Sequence, residues 1–289
     1  MSDTEQQLPP NAAIDMPSDR DFLQSELVFW AAPVERVKFP YGRLTIQNQG
    51  ADQFMWMSCT RQGICHINNA QNIIEADSQN RQPIFTDPRT LWEERTAERP
   101  SVQTLGDTLQ SAMDQMLKKK LIAGYARLNT IEEMIEAIDR GAFIYTGAKD
   151  GDWAYVRDHK AFRNRTDGGG GGHAFAGGID YDLEKRVLKA INSYGANNGI
   201  FDISFDLIGS LYSKYAIYDA RDELAVQAFL ALKKQKQLEL TANSEFSELL
   251  IQLRTSTGKL PIFNNYRDGH GITKELAEIC VLRNILNSK

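Results

Sequence analysis

The chain has 289 residues, 42% of them hydrophobic and 25% charged, with a mean hydropathy of -0.42. That is room for one large domain with an appendage, and it excludes a mainly disordered chain or a fibre. The formal charge of -5 spreads over 33 basic and 38 acidic residues with no basic block, so nucleic acid is not an expected partner.

Residues 1–39 begin with a Gln-, Pro-, Asp- and Ser-rich run and read as a leader, partly disordered and without chemistry. The start is acidic and polar, and no apolar run approaches the roughly 18 residues of a membrane span. The expectation is a protein with no signal segment and no membrane partner, cytoplasmic or virion-associated by default.

The organised domain is expected over 40–218. Arg43 to Ile46 alternate like a strand or extended arm. From Cys59 to Ala76 there is no proline, and Ile64, Ile67, Ala70, Ile73 and Ile74 recur at helical spacing, with Gly63 a local weakness. This predicts a helix beginning close to Cys59. Asp107 with Gln110 resembles a capping box ahead of Leu109, Ala112, Met113 and Met116. Thr130 with Glu133 forms a second, closed by Gly141 after Arg140.

After Gly141 the short runs AFIYTG, AFAGGIDYD, RVLKAINSYG and GIFDISFDLI, separated by Gly, Asp and Asn, predict an antiparallel sheet. The fold class is therefore α+β, a helical part facing a strand-rich part with the cleft between them. Periodic apolar residues return in 219–289, including Leu224, Ala228 and Leu232, and predict a small helical C-terminal module.

Chemistry-bearing side chains are scarce: three cysteines, Cys59, Cys65 and Cys280, and four histidines, His66, His159, His173 and His270. An odd cysteine count this low gives no disulfide framework, and no Cys and His cluster has zinc spacing, so no metal and no other cofactor is expected. Five glycines, Gly168 to Gly172, run straight into His173, where a close backbone approach or an opening loop would explain them. Asn192 follows nineteen residues after His173, and two strands joined by a turn would set the pair side by side. An asparagine carbonyl that takes an imidazole N–H fixes the tautomer and leaves the other ring nitrogen to accept a thiol proton.

These residues resemble the papain family of cysteine peptidases. Its G-H-A histidine motif stands here as Gly172-His173-Ala174, and its N-S-W-G asparagine motif as Asn192-Ser193-Tyr194-Gly195, followed by Asn198-Gly199-Ile200-Phe201. Tyr194 replaces the tryptophan that in the family shields the His and Asn hydrogen bond. The family's oxyanion glutamine lies six residues before its cysteine, the separation of Gln53 from Cys59 in Asp52-Gln53 and Ser58-Cys59-Thr60. A glutamine amide and the cysteine N–H must converge on one oxyanion, and a helix N-terminus acidifies the thiol.

Cys59 with Gln53 is thus the first choice, with Cys65 and Gln49 as the competing nucleophile and oxyanion donor. Otherwise the cysteines read as small buried hydrophobes. His66 reads as a helix-surface or satisfied polar residue, His159 as part of a solvated loop, and His270 as a turn.

The resemblance implies a two-lobed papain-like fold, a helical lobe against an antiparallel β lobe. It also implies endopeptidase activity on a polypeptide substrate through a thioester. The two other classes in play are an inactive papain-fold binding or structural protein and a cysteine hydrolase of cell-wall peptides. Near the C-terminus, Asn264, Arg267, Thr273, Glu275, Ala277 and Arg283 resemble one incomplete surface-layer homology repeat, which would imply a cell-wall or structural partner.

Overall fold

A computed structural model describes residues 58–149, 151–167, 172–192, 199–221, 226 and 228–237. Gln49, Gln53, the leader, the Arg43–Ile46 run, Tyr194, His270, Cys280 and the surface-layer-like stretch lie outside the described residues. The chain divides into two compact units, Met1–Leu232 and Lys233–Lys289. In the second, residues 233–237 are described and are helical.

The first unit is a mixture of helices and antiparallel sheet, as the α+β expectation has it. Its helices are α1 (Cys59–Ser78), α2 (Pro88–Glu98), α3 (Val102–Leu105), α4 (Leu109–Lys118), α5 (Ile131–Asp139) and α6 (Trp153–His159). Its strands are β1 (Ile122–Arg127), β2 (Phe143–Ala148), β3 (His173–Asp182), β4 (Val187–Ile191), β5 (Ile200–Ser204) and β6 (Leu211–Asp219). They form one sheet in the order β1-β6-β2-β3-β4-β5, antiparallel at each step.

Alternation along the central strands divides the core in two, because successive side chains point to opposite faces. Phe143, Tyr145, Ala174, Ala176, Tyr215 and Ile217 meet Ile64, Ile67, Ala70 and Ile73 of α1 and Met113 and Met116 of α4. Ile144, Phe175, Ala216 and Tyr218 turn the other way, toward Met134, Ala137 and Ile138 of α5 and Val156 of α6. Helices therefore cover both faces of the sheet. The split into a helical first half and a strand-rich second half is looser than expected, since β1 comes from the first and α5 and α6 sit between strands.

The α1 expectation holds at its start, and the structure adds what the periodicity did not contain. Every residue from Cys59 to Ile73 is buried, including Arg61, Gln62, His66, Asn68, Asn69, Gln71 and Asn72. His66 is therefore not a surface residue of the helix. Gly63 is no weakness either: a Cβ there would sit 2.9 Å from the Phe175 Cα, so glycine lets α1 lie against β3.

The Thr130–Glu133 capping box forms in full, and Gly141 closes α5 with φ +79. The Asp107 cap does not form. Thr108 caps α4 by accepting the Ser111 N–H, while the Asp107 carboxylate accepts hydrogen bonds from Arg61 and Arg95. His159 ends α6 instead of lying in a loop, stacked on Tyr155 with centroids 4.0 Å apart. Beyond β6, Ala228, Phe229 and Leu232 are helical and buried in the core of the first unit, which runs past residue 218 to Leu232.

Candidate active site

Cys59 is the first residue of α1, where the opening N–H groups of a helix have no intrahelical acceptor and the macrodipole favours negative charge. Its sulfur is favoured as an anion by the backbone N–H of Ala174, the residue after His173, and by the N–H groups of Thr60 and Cys59. The first turn is pinned in place: the Tyr145 hydroxyl donates to the Thr60 carbonyl at 2.6 Å. Gly63, one turn on, keeps the helix close to β3.

His173 opens β3 and Asn192 follows β4, the strand beside it. His173 Nε2 lies 2.8 Å from Asn192 Oδ1. An amide oxygen only accepts, so Nε2 carries the proton and donates it, which puts the ring's lone pair on Nδ1. The Asn192 backbone is held in turn, its N–H donating to the Gly199 carbonyl at 3.1 Å. The hairpin expected from spacing alone is the arrangement present.

Trp153, which sequence reading did not single out, packs edge-on to the imidazole with ring centroids 4.5 Å apart and planes at 72°. It also meets Phe175 at 5.5 Å and Phe162 at 5.9 Å. Gly151 makes room for the indole, since a Cβ there would sit 2.6 Å from it. The sequence did hold a signal for this helix, because Asp152 caps α6 by accepting the Tyr155 N–H. Water is kept from one side of His173 by an aromatic group far in sequence from Tyr194.

Burial dominates the electrostatics. Cys59 is 0% and His173 1% exposed. Burial pushes the Cys59 thiol up to about 12, against the pull of the Ala174 and Thr60 N–H groups and the Arg61 charge. Burial also pulls His173 down to about 3, opposed by its hydrogen bond to Asn192. At neutral pH Cys59 is a thiol and His173 a neutral imidazole.

Cys65 lies inside α1 among Ile64, Ile67 and Met113, and burial pushes its thiol up too, with Asp87 adding to the rise. It has the setting of a small core hydrophobe. Beside Cys59 stands Arg61, fully buried, which donates to Asp107 at 2.8 Å, to Gln115 at 3.0 Å and to Ser111 and Thr60 at 3.1 Å.

Among the described residues no group of three or more His, Cys, Asp and Glu side chains is placed to hold a metal ion. No helix among them is long and apolar enough to cross a membrane. Compared with known proteins, the chain matches no family model, no curated protein and no solved structure.

Proposed function

We propose that the chain is a papain-like thiol hydrolase that cleaves peptide bonds through a thioester. The observation that carries this reading is the meeting of Cys59, at the start of α1, with the Ala174 amide directly after His173, while His173 is held by Asn192. In this reading the Cys59 sulfur attacks the substrate carbonyl and His173 Nδ1 takes the thiol proton. His173 then gives that proton to the leaving amine, and water hydrolyses the thioester in the second half. Asn192 orients the imidazole throughout. The developing oxyanion is assigned to the Cys59 N–H together with Gln53, on sequence spacing. The reading includes the papain-like pairing of a helical lobe with a β lobe, for which the support is α1 lying on the sheet with its first residue beside β3.

A polypeptide reaches Cys59 only after the cover over it parts. The same opening weakens the cause that holds the thiol high and the imidazole low, so exposure and formation of the thiolate–imidazolium pair go together. The complete burial of both groups is also what favours a second reading, a papain-fold binding protein without activity. Intact-mass labelling with an epoxysuccinyl thiol-protease inactivator separates the two. Labelling of one thiol that is lost in Cys59→Ala and His173→Ala but kept in Cys65→Ala is the expected result. No labelling of the folded wild-type chain sinks the hydrolase reading in favour of the binding protein.

A further inference from the structure

Behind Cys59 lies a buried ion network that the proposed chemistry does not use. Arg61, two residues on in the first turn of α1, is fully buried, and Asp107 is 3% exposed. Asp107 Oδ2 accepts from Arg61 at 2.8 Å, from Arg95 of α2 at 2.7 Å and from the Ser111 hydroxyl of α4 at 2.8 Å. Its other oxygen accepts the Thr108 N–H at 2.9 Å. Two guanidinium groups share one carboxylate, so the buried triad itself keeps a net charge of about +1, while the exposed Glu98 lies 3.7 Å from Arg95 at its outer edge.

Taking such groups out of water is costly, and well-packed apolar residues of equal volume often serve stability as well or better. What apolar residues would not supply is a fixed positive charge and a fixed direction. Resting on the reading of Cys59 as a nucleophile, we propose that Arg61 is a positioning residue: tied by Asp107 to α2 and α4, it fixes the first turn of α1, which carries the thiol, and keeps a buried positive charge in that same turn.

The other charged or titratable groups near this end of α1 are His173 from β3, Tyr145 from β2, Asp87 at the head of α2, Glu94 and Glu98 within α2, Glu98 being paired with Arg95 at 3.7 Å, and Cys65 on α1. Glu94 is joined to the network through Gln115, which donates to it at 3.2 Å and accepts from Arg61. The Arg61 charge pulls the Cys59 thiol toward ionisation, and Asp107 and Arg95, further along the network, act on it through the same field. Burial pulls the Arg61 guanidinium below its ordinary value, and Asp107 pushes it back up. Burial alone would raise Asp107, but its hydrogen bond to Arg95 and the Arg61 charge outweigh this and hold the carboxyl low. The triad is therefore charged at working pH.

The test follows iodoacetamide alkylation of the Cys59 peptide by mass spectrometry against pH in the full chain. Arg61→Met removes the positive charge and is expected to move the midpoint up by about one pH unit, roughly tenfold slower alkylation at pH 7. Arg61→Lys is expected to restore most of the loss. Asp107→Asn removes the negative charge and is expected to move the midpoint down. Opposite signs are what a merely loosened helix end would not produce.

Should Arg61→Met not fold, Arg95→Gln takes its place, because Arg95 is part-exposed and leaves the Arg61 and Asp107 pair intact; its midpoint is expected to rise. Shifts of one sign in all variants, or none in folded protein, overturn the proposal. The readout needs no substrate, so opposite shifts without epoxysuccinyl labelling keep the role of Arg61 and remove the hydrolase reading. Labelling without opposite shifts does the reverse.

Discussion

The two faces of the sheet are built by different rules. On the face toward α5 and α6, Phe175, Leu188, Phe201 and Ile203 pack on apolar partners such as Met134 and Val156, and cohesion there comes from area and volume. On the face toward α1 the helix brings a row of buried amides, each spent on a named backbone group. Asn68 donates to the Leu121 carbonyl at 2.9 Å, and Gln71 to the Ile217 carbonyl at 2.8 Å. Asn69 donates to the Thr86 carbonyl at 3.0 Å and accepts the Thr86 N–H at 2.7 Å. Area holds a helix near a sheet without fixing where along it the helix stops. Directional bonds fix the stop, and the helix that has them is the one that carries Cys59.

The sharpest way to break this contrast is a pair of similarly mild substitutions on opposite faces. Asn69→Leu keeps the volume but takes the partner from both backbone groups of the part-buried Thr86, which is expected to cost about 2–3 kcal/mol. Leu188→Met on the apolar face is expected to cost less than about 1.5 kcal/mol. Urea unfolding of the two variants decides it, and equal losses would dissolve the distinction.

The next effect comes from pH. An unfolded histidine takes a proton near 6.5, whereas burial lets folded His173 take one only near 3. Below pH 6.5 the unfolded state therefore binds more protons, so stability present above 6.5 is lost as the pH falls toward 3. The loss reaches roughly 2 kcal/mol by pH 5. Carboxyls held low by their partners, such as Asp107 and Asp152, add their losses at lower pH, near and below their ordinary 3.8. Thermal melting between pH 7 and 5 is expected to fall in the wild type and to flatten in His173→Gln; parallel curves would refute the assignment.

The smallest effect has the most telling sign. In an exposed helix Gly63→Ala would gain about 1 kcal/mol. Here the added Cβ meets the Phe175 backbone, so a net loss of about 1–2 kcal/mol is expected, with slower thiol labelling as α1 lifts from β3.

What the sequence made legible was local. The start of α1, the Thr130–Glu133 box with Gly141, and the His173 and Asn192 hairpin each rest on residues a few to nineteen apart. What it hid depends on partners brought from elsewhere. Asp107 has the spacing of a cap, but Arg61 and Arg95 recruit its carboxylate and Thr108 takes over the capping.

Strand β1, IAGYAR, is poor in branched residues; its Gly124 sits where the Phe229 ring would strike a Cβ at 2.6 Å. Trp153 shows its use only once α6 is packed beside β3. Asp87 with Pro88 at the first helical position is a readable start for α2.

The amide row also acts as a vernier. Asn72 lies thirteen residues beyond Cys59, a distance of about 20 Å along the axis. A helix that slid by one residue would misplace every one of these amides at once, and would also bring a Cβ to the place where Gly63 lies against Phe175. Errors in the placement of the thiol are thus rejected far from the thiol itself, at a part of the helix that need never meet a substrate.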